Sequence, residues 1–397
     1  VNAQAPAFVI VGAGQAGAWA TRTLRSAGYD GRIVLCGAEP HPPYERPPLS
    51  KDILMGDAAA AHARLLDQNE LDALSVEFLP NTPVTHIDRA ARRVTCADGR
   101  TFDYARLLLA TGGSPLLPPI PGIDLPGVHV LRSLGDALAL RDALAGGPRV
   151  AVIGGGWIGL ETAASARTLG CAVTVLELAA RLCARSVMPR VSDDLAALHA
   201  DAGVTLRLNT RVCALHAGQQ TDAALHLRLS DGTTLVADLV VVGAGLQAND
   251  DLARAAGLAC ERGVRVDAQC RSADPDIYAA GDVAVLWDAR MQTHLRLESW
   301  QNAQDQGVAA AQAMLGHPVH YQPLPLGWSD QYDRRIQIVG YPDLARRTHV
   351  RSTADGGVLY LGVDAADQVT AAVGVNAGRD FRQARKWAQE QANVHSL

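Results

Sequence analysis

At 397 residues the chain is longer than one hydrophobic core usually organises, so two or three domains are expected. A net charge of −5 and a pI near 6.2, with no basic tract, argue against nucleic acid or an anionic membrane as the main partner. No apolar run is long enough to span a bilayer, and strand pattern begins by Phe8, so a cytoplasmic location is the expectation. The seven cysteines (Cys36, Cys96, Cys171, Cys183, Cys213, Cys260 and Cys270) show neither a C-x-x-C pair nor zinc-ligand spacing and read as small buried hydrophobes. No metal site is predicted.

In chain order, Phe8-Val9-Ile10-Val11 reads as a strand and Gly12-Ala13-Gly14-Gln15-Ala16-Gly17 as a glycine-rich turn. A helix follows through Leu24, then a second strand, Ile33-Val34-Leu35-Cys36, that leads to Glu39. Gly12 is expected to permit the tight turn and Gly14 to let backbone N–H groups reach a pyrophosphate at the helix N-terminus. Gly17 is expected to bring helix and strand together. Glu39 stands where a carboxylate meets a ribose hydroxyl. Together these elements predict a dinucleotide site.

Next comes Pro42-Pro43-Tyr44-Glu45-Arg46-Pro47-Pro48-Leu49-Ser50-Lys51, whose prolines pre-order a segment able to hold Arg46 and Lys51 over a ligand. Only Lys51 and Lys386 are lysine among the 36 basic residues, which marks Lys51 as a place where a compact ammonium is wanted. Residues 52–80 read as helical and alanine-rich, and residues 82–104 as short strands turning at Ala97-Asp98-Gly99-Arg100. The apolar run from Leu107 ends in Ala110-Thr111-Gly112-Gly113, small residues suited to close passage of the backbone beside a cofactor.

After a proline-rich linker the first unit repeats. Val150 to Ile153 is a strand, Gly154, Gly156 and Gly159 repeat the glycine spacing, and a helix runs from Leu160 to Leu169. The strand Ala172 to Leu176 then ends directly in Glu177. The copies lie 142 residues apart, a domain-sized period that implies a second nucleotide site. Glu177 would accept the 2′- and 3′-hydroxyls of an adenosine ribose and repel a 2′-phosphate, favouring NADH over NADPH, although Arg181 nearby could accommodate phosphate. A meander over 204–238, turning at Ser230-Asp231-Gly232, and the strand from Leu239 to Val242 repeat the first unit's closing elements.

Asp276 to Val283 reads as a strand ending in Gly281-Asp282, where a carboxylate could hydrogen-bond a polyol or merely end the strand, and a helix begins near Trp300. From about Gly327 the texture changes to short strands at 336–340, 347–353, 358–363 and 369–375, followed by a helix from Arg379 to Gln391. That helix sets Phe381, Ala384, Trp387, Ala388 and Gln391 on one side and Arg379, Arg382, Arg385 and Lys386 largely on others. A core-facing helix with a solvated face is the ordinary meaning, and a docking face for an acidic partner the sharper one.

Taken together, Gly12 to Gly17, Tyr44 to Lys51, Ala110-Thr111-Gly112, Gly154 to Glu161, Gly281-Asp282, Glu298-Ser299-Trp300 and Trp328-Ser329-Asp330 form a pattern over essentially the whole chain. It resembles the flavin-dependent pyridine-nucleotide oxidoreductases and, within them, the NADH-dependent ferredoxin reductases that serve aromatic-ring dioxygenases and haem monooxygenases. The resemblance implies an α/β fold: two Rossmann-like, three-layer (ββα/βα) nucleotide-binding domains plus a C-terminal α+β domain. The expected bounds are 1–113 with 244–322 for FAD, 114–243 for NADH, and 323–397 for the last domain.

It further implies that Gly12, Gly14, Gly17 and Glu39 bind the ADP portion of FAD, with Arg46 and Lys51 along the flavin and Ala110, Thr111 and Gly112 close to it. Asp282 would contact the ribityl chain and Trp328 would pack near the isoalloxazine. Gly154, Gly156, Gly159 and Glu177 would hold NADH, and Glu161 would lie by the nicotinamide, where Lys51 could pair with it. One departure is visible: Gln247-Ala248-Asn249 stands where the family often has Pro-Asn.

Residues 40–56 contain no cysteine, whereas the disulfide-reductase and peroxidase relatives need one or two beside the flavin. Electrons are therefore expected to pass from flavin directly to an external acceptor, a [2Fe–2S] ferredoxin. Another small acceptor such as rubredoxin, or a redox-responsive role like that of the apoptosis-inducing-factor relatives, stays open at this point. Residues 327–397 carry nine basic residues against eight acids, so any steering patch must arise from their arrangement.

Overall fold

The computed structural model describes residues 6–57, 60–218 and 224–397. The chain divides into two compact units, one made of Val1–Glu45, Ala61–Ser114 and Gln247–Pro323, the other of Arg46–Ala60, Pro115–Leu246 and Leu324–Leu397.

In the first unit the strands Val76–Leu79, Ile33–Cys36, Ala7–Val11, Thr101–Leu109 and Ile277–Ala279 lie parallel in that order. Ala7–Val11 is buried at every position, as a parallel strand covered on both faces must be. The register aligns Val11 with Cys36 and with Leu109, and Leu109 with Ala279, so the carboxyl ends of four strands form one row. Gly12, Ala110 and Ala280 follow directly, and such a row is where open α/β sheets bind ligands. On one face the helix Gln15–Ser26 packs against Trp300–Met314; the contact is close enough that a Cβ on Gly307 would lie 2.4 Å from the Ala16 carbonyl oxygen. The long strand Thr101–Leu109 continues antiparallel into Arg93–Cys96 and Val84–Asp88.

The second unit repeats the parallel design: Thr205–Arg207, Ala172–Leu176, Arg149–Ile153, Leu239–Val242 and Val128–His129, with Ile153 level with Leu176 and Val242. A three-stranded meander, Val212–Ala217, Leu225–Leu229 and Thr234–Ala237, lies beside it. The same unit holds a five-stranded antiparallel sheet in the order Leu326–Gln331, Arg334–Gly340, Val369–Val375, Val358–Val363 and Arg347–Ser352. The helix Gly378–Glu390 buries Phe381, Ala384 and Ala388 against that sheet and leaves Arg379, Arg382, Arg385 and Lys386 exposed.

Four sequence expectations need correction. The stretch 52–80 is not one helix. Gly56 at φ +82° ends Asp52–Met55, Asp67 and Glu70 form a capping box that starts Gln68–Ala73, and Val76–Leu79 pairs as a strand. Alanine content favours helix only where no such stop intervenes, and residues 58–59 of that stretch lie outside those described. The segment 204–238 is not all meander, since Thr205–Arg207 joins the parallel sheet; residues 219–223, also within that expectation, are outside those described. The strand Leu326–Gln331 precedes the first of the C-terminal strands read from the sequence. Gln391 lies beyond the last helix at φ +52° and is exposed.

Candidate functional site

The two glycine-rich turns close in the same way. The Gly12 amide donates to the Cys36 carbonyl at 2.8 Å and Gly154 to that of Leu176 at 2.9 Å; Ala110 donates to Val11 and Gly243 to Ile153, both at 2.8 Å. Gly12 has φ +115° and Gly154 φ +113°. A Cβ there would sit 2.1 Å from the Ala110 carbonyl oxygen or 2.5 Å from that of Gly243, so both turns demand glycine. Cβ atoms on Gly17 and Gly159 would each lie 2.0 Å from the carbonyl oxygen of the first glycine, which is what lets each helix approach its strand.

At Gly14 and Gly156 the pattern inverts, because a Cβ would meet nothing within 4 Å. These are the N-cap residues of Gln15–Ser26 and Trp157–Thr168, and neither helix start has a side-chain cap or a first-turn acid. The helices Leu134–Leu144 and Trp300–Met314, by contrast, are capped by Ser133 and Ser299. Both fingerprint helices therefore present uncompensated N–H groups and a positive dipole end to open space, a donor set that fits a pyrophosphate.

Around the first turn, Glu39 accepts the Tyr44 hydroxyl at 2.5 Å. Asn249 ties down the Thr111–Gly112 loop through three bonds: the Thr111 hydroxyl donates to its carbonyl at 2.8 Å, its amide side chain donates to the Thr111 carbonyl at 3.0 Å, and its backbone N–H donates to the Gly112 carbonyl at 3.0 Å. Asp282 lies in a single 3-10 turn, and the Gln306 side-chain oxygen accepts the N–H of the adjacent Gly281 at 3.0 Å. Around the second turn, Glu177 accepts N–H groups from Gly155 at 2.5 Å and Ala179 at 2.6 Å, which fixes its carboxylate at the strand tip. Arg181 is spent on its own loop and the helix after it, donating to the Val187 and Ala184 carbonyls and to the Ser192 hydroxyl.

Arg46, Lys51, Glu161 and Trp328 all belong to the second unit. Arg46 donates to the Arg132 carbonyl. Glu161, in the first half of Trp157–Thr168, is 4% exposed and receives three donors: Ser50 Oγ at 2.5 Å, Ser329 Oγ at 2.6 Å and Lys51 Nζ at 2.8 Å. Lys51 also donates to the Pro47 carbonyl at 3.1 Å. The carboxylate accepts three donors in a buried setting, and the ammonium beside it is held between Glu161 and the Pro47 carbonyl.

Sequence reasoning passed over Ser50, Ser329 and Gln306 as site residues; the two serines flank Lys51 and Trp328, but nothing in a serine's identity says which group it will bond. Asn249 was visible only as part of an altered tripeptide.

All seven cysteines are free. The Cys36 thiol is buried beside Cys96 and burial pushes its pKa well up, which keeps it protonated and unreactive. His199, fully buried, bonds Gln331 Oε1 through Nε2 at 2.8 Å. Burial holds its imidazole below the usual 6.5, opposed by that hydrogen bond. The unfolded chain then takes up the proton first, so the contribution to stability is whole above 6.5 and is lost as pH falls from 6.5 towards the folded value. His199→Gln is expected to flatten the acid side of a Tm against pH profile; equal acid sensitivity in both proteins would contradict this.

Comparison with known proteins agrees with the geometry. The pyridine nucleotide-disulphide oxidoreductase family matches residues 6–307, and a reductase C-terminal domain matches residues 327–396. The chain is 42% identical to the ferredoxin–NAD(+) reductase component of the anthranilate 1,2-dioxygenase system of Burkholderia cepacia, over 96% of this chain and 93% of that one. Among solved structures it resembles the ferredoxin reductase for the CYP199A2 system of Rhodopseudomonas palustris, with TM-score 0.91 and 36% identity over 96% of this chain and 94% of that one. It also resembles the covalent putidaredoxin reductase–putidaredoxin complex, with TM-score 0.91 and 36% identity over 98% of this chain and 94% of that one. The chain therefore belongs to the pyridine nucleotide-disulphide oxidoreductases, in the branch of ferredoxin reductases that carry the reductase C-terminal domain.

Proposed function

We propose that this protein takes hydride from NADH onto a bound FAD and passes the electrons one at a time to a [2Fe–2S] ferredoxin that supplies an oxygenase. The duplicated, uncapped helix start behind an open glycine carries this reading, since two dinucleotides need two such places. FAD is assigned to the first turn, with Gly12, Gly14, Gly17, Glu39, Ala110, Thr111, Gly112 and Asp282. NADH is assigned to the second, with Gly154, Gly156, Gly159 and Glu177. The corresponding domain bounds are 1–113 with 244–322 for FAD, 114–243 for NADH, and 323–397 for a C-terminal α+β domain.

When bound, the flavin supplies the exchange between two-electron and one-electron chemistry, while the protein supplies binding, orientation and charge. Lys51 is assigned an electrostatic part, because an ammonium pinned by Glu161 and the Pro47 carbonyl is a fixed positive charge of the kind that stabilises an electron-rich ring. Arg46 and Trp328 are assigned to the flavin by the family resemblance. No cysteine lies in residues 40–56 and no described thiol is paired, which supports direct departure of electrons to an external acceptor. No described helix is long and apolar enough to cross a membrane, and seven free cysteines suit the reducing cytoplasm, where we place the protein.

The test is turnover. Anaerobic NADH should bleach the flavin and a [2Fe–2S] ferredoxin should restore its colour. A reduced protein that ignores every acceptor would instead indicate a redox-responsive binding role. The fixed Glu177 carboxylate and the committed Arg181 guanidinium favour NADH, and Glu177→Ala is expected to narrow the preference over NADPH by about tenfold, one charge-assisted hydrogen bond's worth. Equal use of NADH and NADPH by the unaltered protein would overturn that assignment.

A further inference from the structure

Behind Glu161 a line of buried polar side chains, Ser329, Gln331 and His199, runs to the half-buried Tyr332. Ser329 is fully buried and Gln331 is 1% exposed; two residues apart on the strand Leu326–Gln331, they share one face. His199 comes from the helix Pro189–Asp201, and Tyr332 from the turn that ends the strand.

The protons along this line can be assigned from one end. The Glu161 carboxylate accepts from Ser50 and Lys51, and Ser329 likewise gives it the single hydroxyl proton across 2.6 Å. The second contact of Ser329 must then be a donor, which orients the Gln331 amide nitrogen towards it at 3.0 Å. Gln331 Oε1 is left to accept from His199 Nε2 at 2.8 Å, and His199 Nδ1, now an acceptor, takes the Tyr332 hydroxyl at 3.2 Å. Every donor points towards Glu161. Tyr332 adopts φ +53°, a left-handed backbone costly for a bulky residue, and its ring meets the imidazole edge-on at a centroid distance of 5.3 Å.

The geometry points to His199 as a positioning residue for Glu161, acting through Gln331 and Ser329, so that Glu161 in turn fixes the Lys51 ammonium. An amide in the middle of the line does not hand on protons as a hydroxyl would, so its function is orientation and not proton transfer. Burial, which pushes the Tyr332 hydroxyl up to about 12, keeps the terminal donor protonated. The kinetic arm of the test rests on the function proposed above; the spectroscopic arm does not.

The holoprotein is labelled with nitrogen-15 in histidine, and the His199 resonances are identified by their loss in His199→Gln. Expected is a neutral ring protonated at Nε2 that does not titrate near 6.5, and that loses this fixed tautomer in Gln331→Met. In anaerobic stopped flow, Gln331→Met and His199→Phe should slow NADH-driven bleaching by about tenfold, with NADH affinity little changed. His199→Gln, which still offers an amide donor, should recover most of the rate. A ring protonated at Nδ1, wild-type bleaching in Gln331→Met, or His199→Gln as slow as His199→Phe would each overturn the proposal. If NADH fails to bleach the unaltered protein, the functional reading falls and the tautomer alone decides this one.

Discussion

Gly14→Ala is expected to yield a folded but nearly colourless protein, and Gly156→Ala a yellow protein that NADH reduces poorly. Neither methyl group would clash with the protein: beyond the adjoining residues no atom lies within 4 Å of either Cβ position, and Gly14 and Gly156 have φ of −88° and −84°, which alanine adopts freely. Any loss therefore reports on what fills the open space. A Cβ placed where a pyrophosphate must lie against the helix N-terminus pushes it away from the N–H donors, and about tenfold to hundredfold weaker binding follows from losing one or two charge-assisted hydrogen bonds. Flavin absorbance per protein reads the first variant, and the NADH dependence of anaerobic bleaching reads the second. Exchange of the two phenotypes would reverse the assignment of FAD and NADH; retention of both cofactors by both variants would remove it. Gly17→Ala and Gly159→Ala are poorer probes, since their methyl groups would collide with backbone 2.0 Å away and unfold the turn itself.

Breaking the Lys51–Glu161 pair from one side should be worse than removing it entirely. The side chains are 13% and 5% exposed, so Lys51→Met strands a buried carboxylate with two serine hydroxyls, and Glu161→Leu strands a mostly buried ammonium. Each single change is expected to cost about 3–5 kcal/mol of stability, and the double change less than either, because no charge is left unpaired. Denaturant unfolding of the four proteins gives the coupling energy directly. Bleaching by NADH should nonetheless fall about hundredfold in the double variant, in which the fixed positive charge is gone. Additive stability losses would show that the pair is not coupled, and undiminished bleaching in the double variant would show that the charge takes no part in the chemistry.

Much of this molecule can be read from local sequence, and the reason is visible in the turns. Strand, glycine turn, helix and acid are contiguous, so φ +115° at Gly12, the close approach at Gly17 and the open face at Gly14 all follow from residues within a few positions of one another. The exposed Arg379, Arg382, Arg385 and Lys386 likewise follow from helical spacing against Phe381, Ala384 and Ala388. Where reading failed, a stop signal outweighed composition, as Gly56 and the Asp67 cap did in the alanine-rich stretch after Lys51.

Local sequence thus sets the two glycine-rich turns, the carboxylates Glu39 and Glu177 that follow the second strand of each unit, and the absence of a cysteine from the segment around Lys51. The tertiary structure alone decided what surrounds Glu161. Ser50 is 111 residues away along the chain and Ser329 is 168, while His199 and Gln331 are 132 apart. Hydrogen bonds of that separation depend on the register of a strand against a helix, and no local propensity encodes which polar side chains that register will bring within 3 Å of one another.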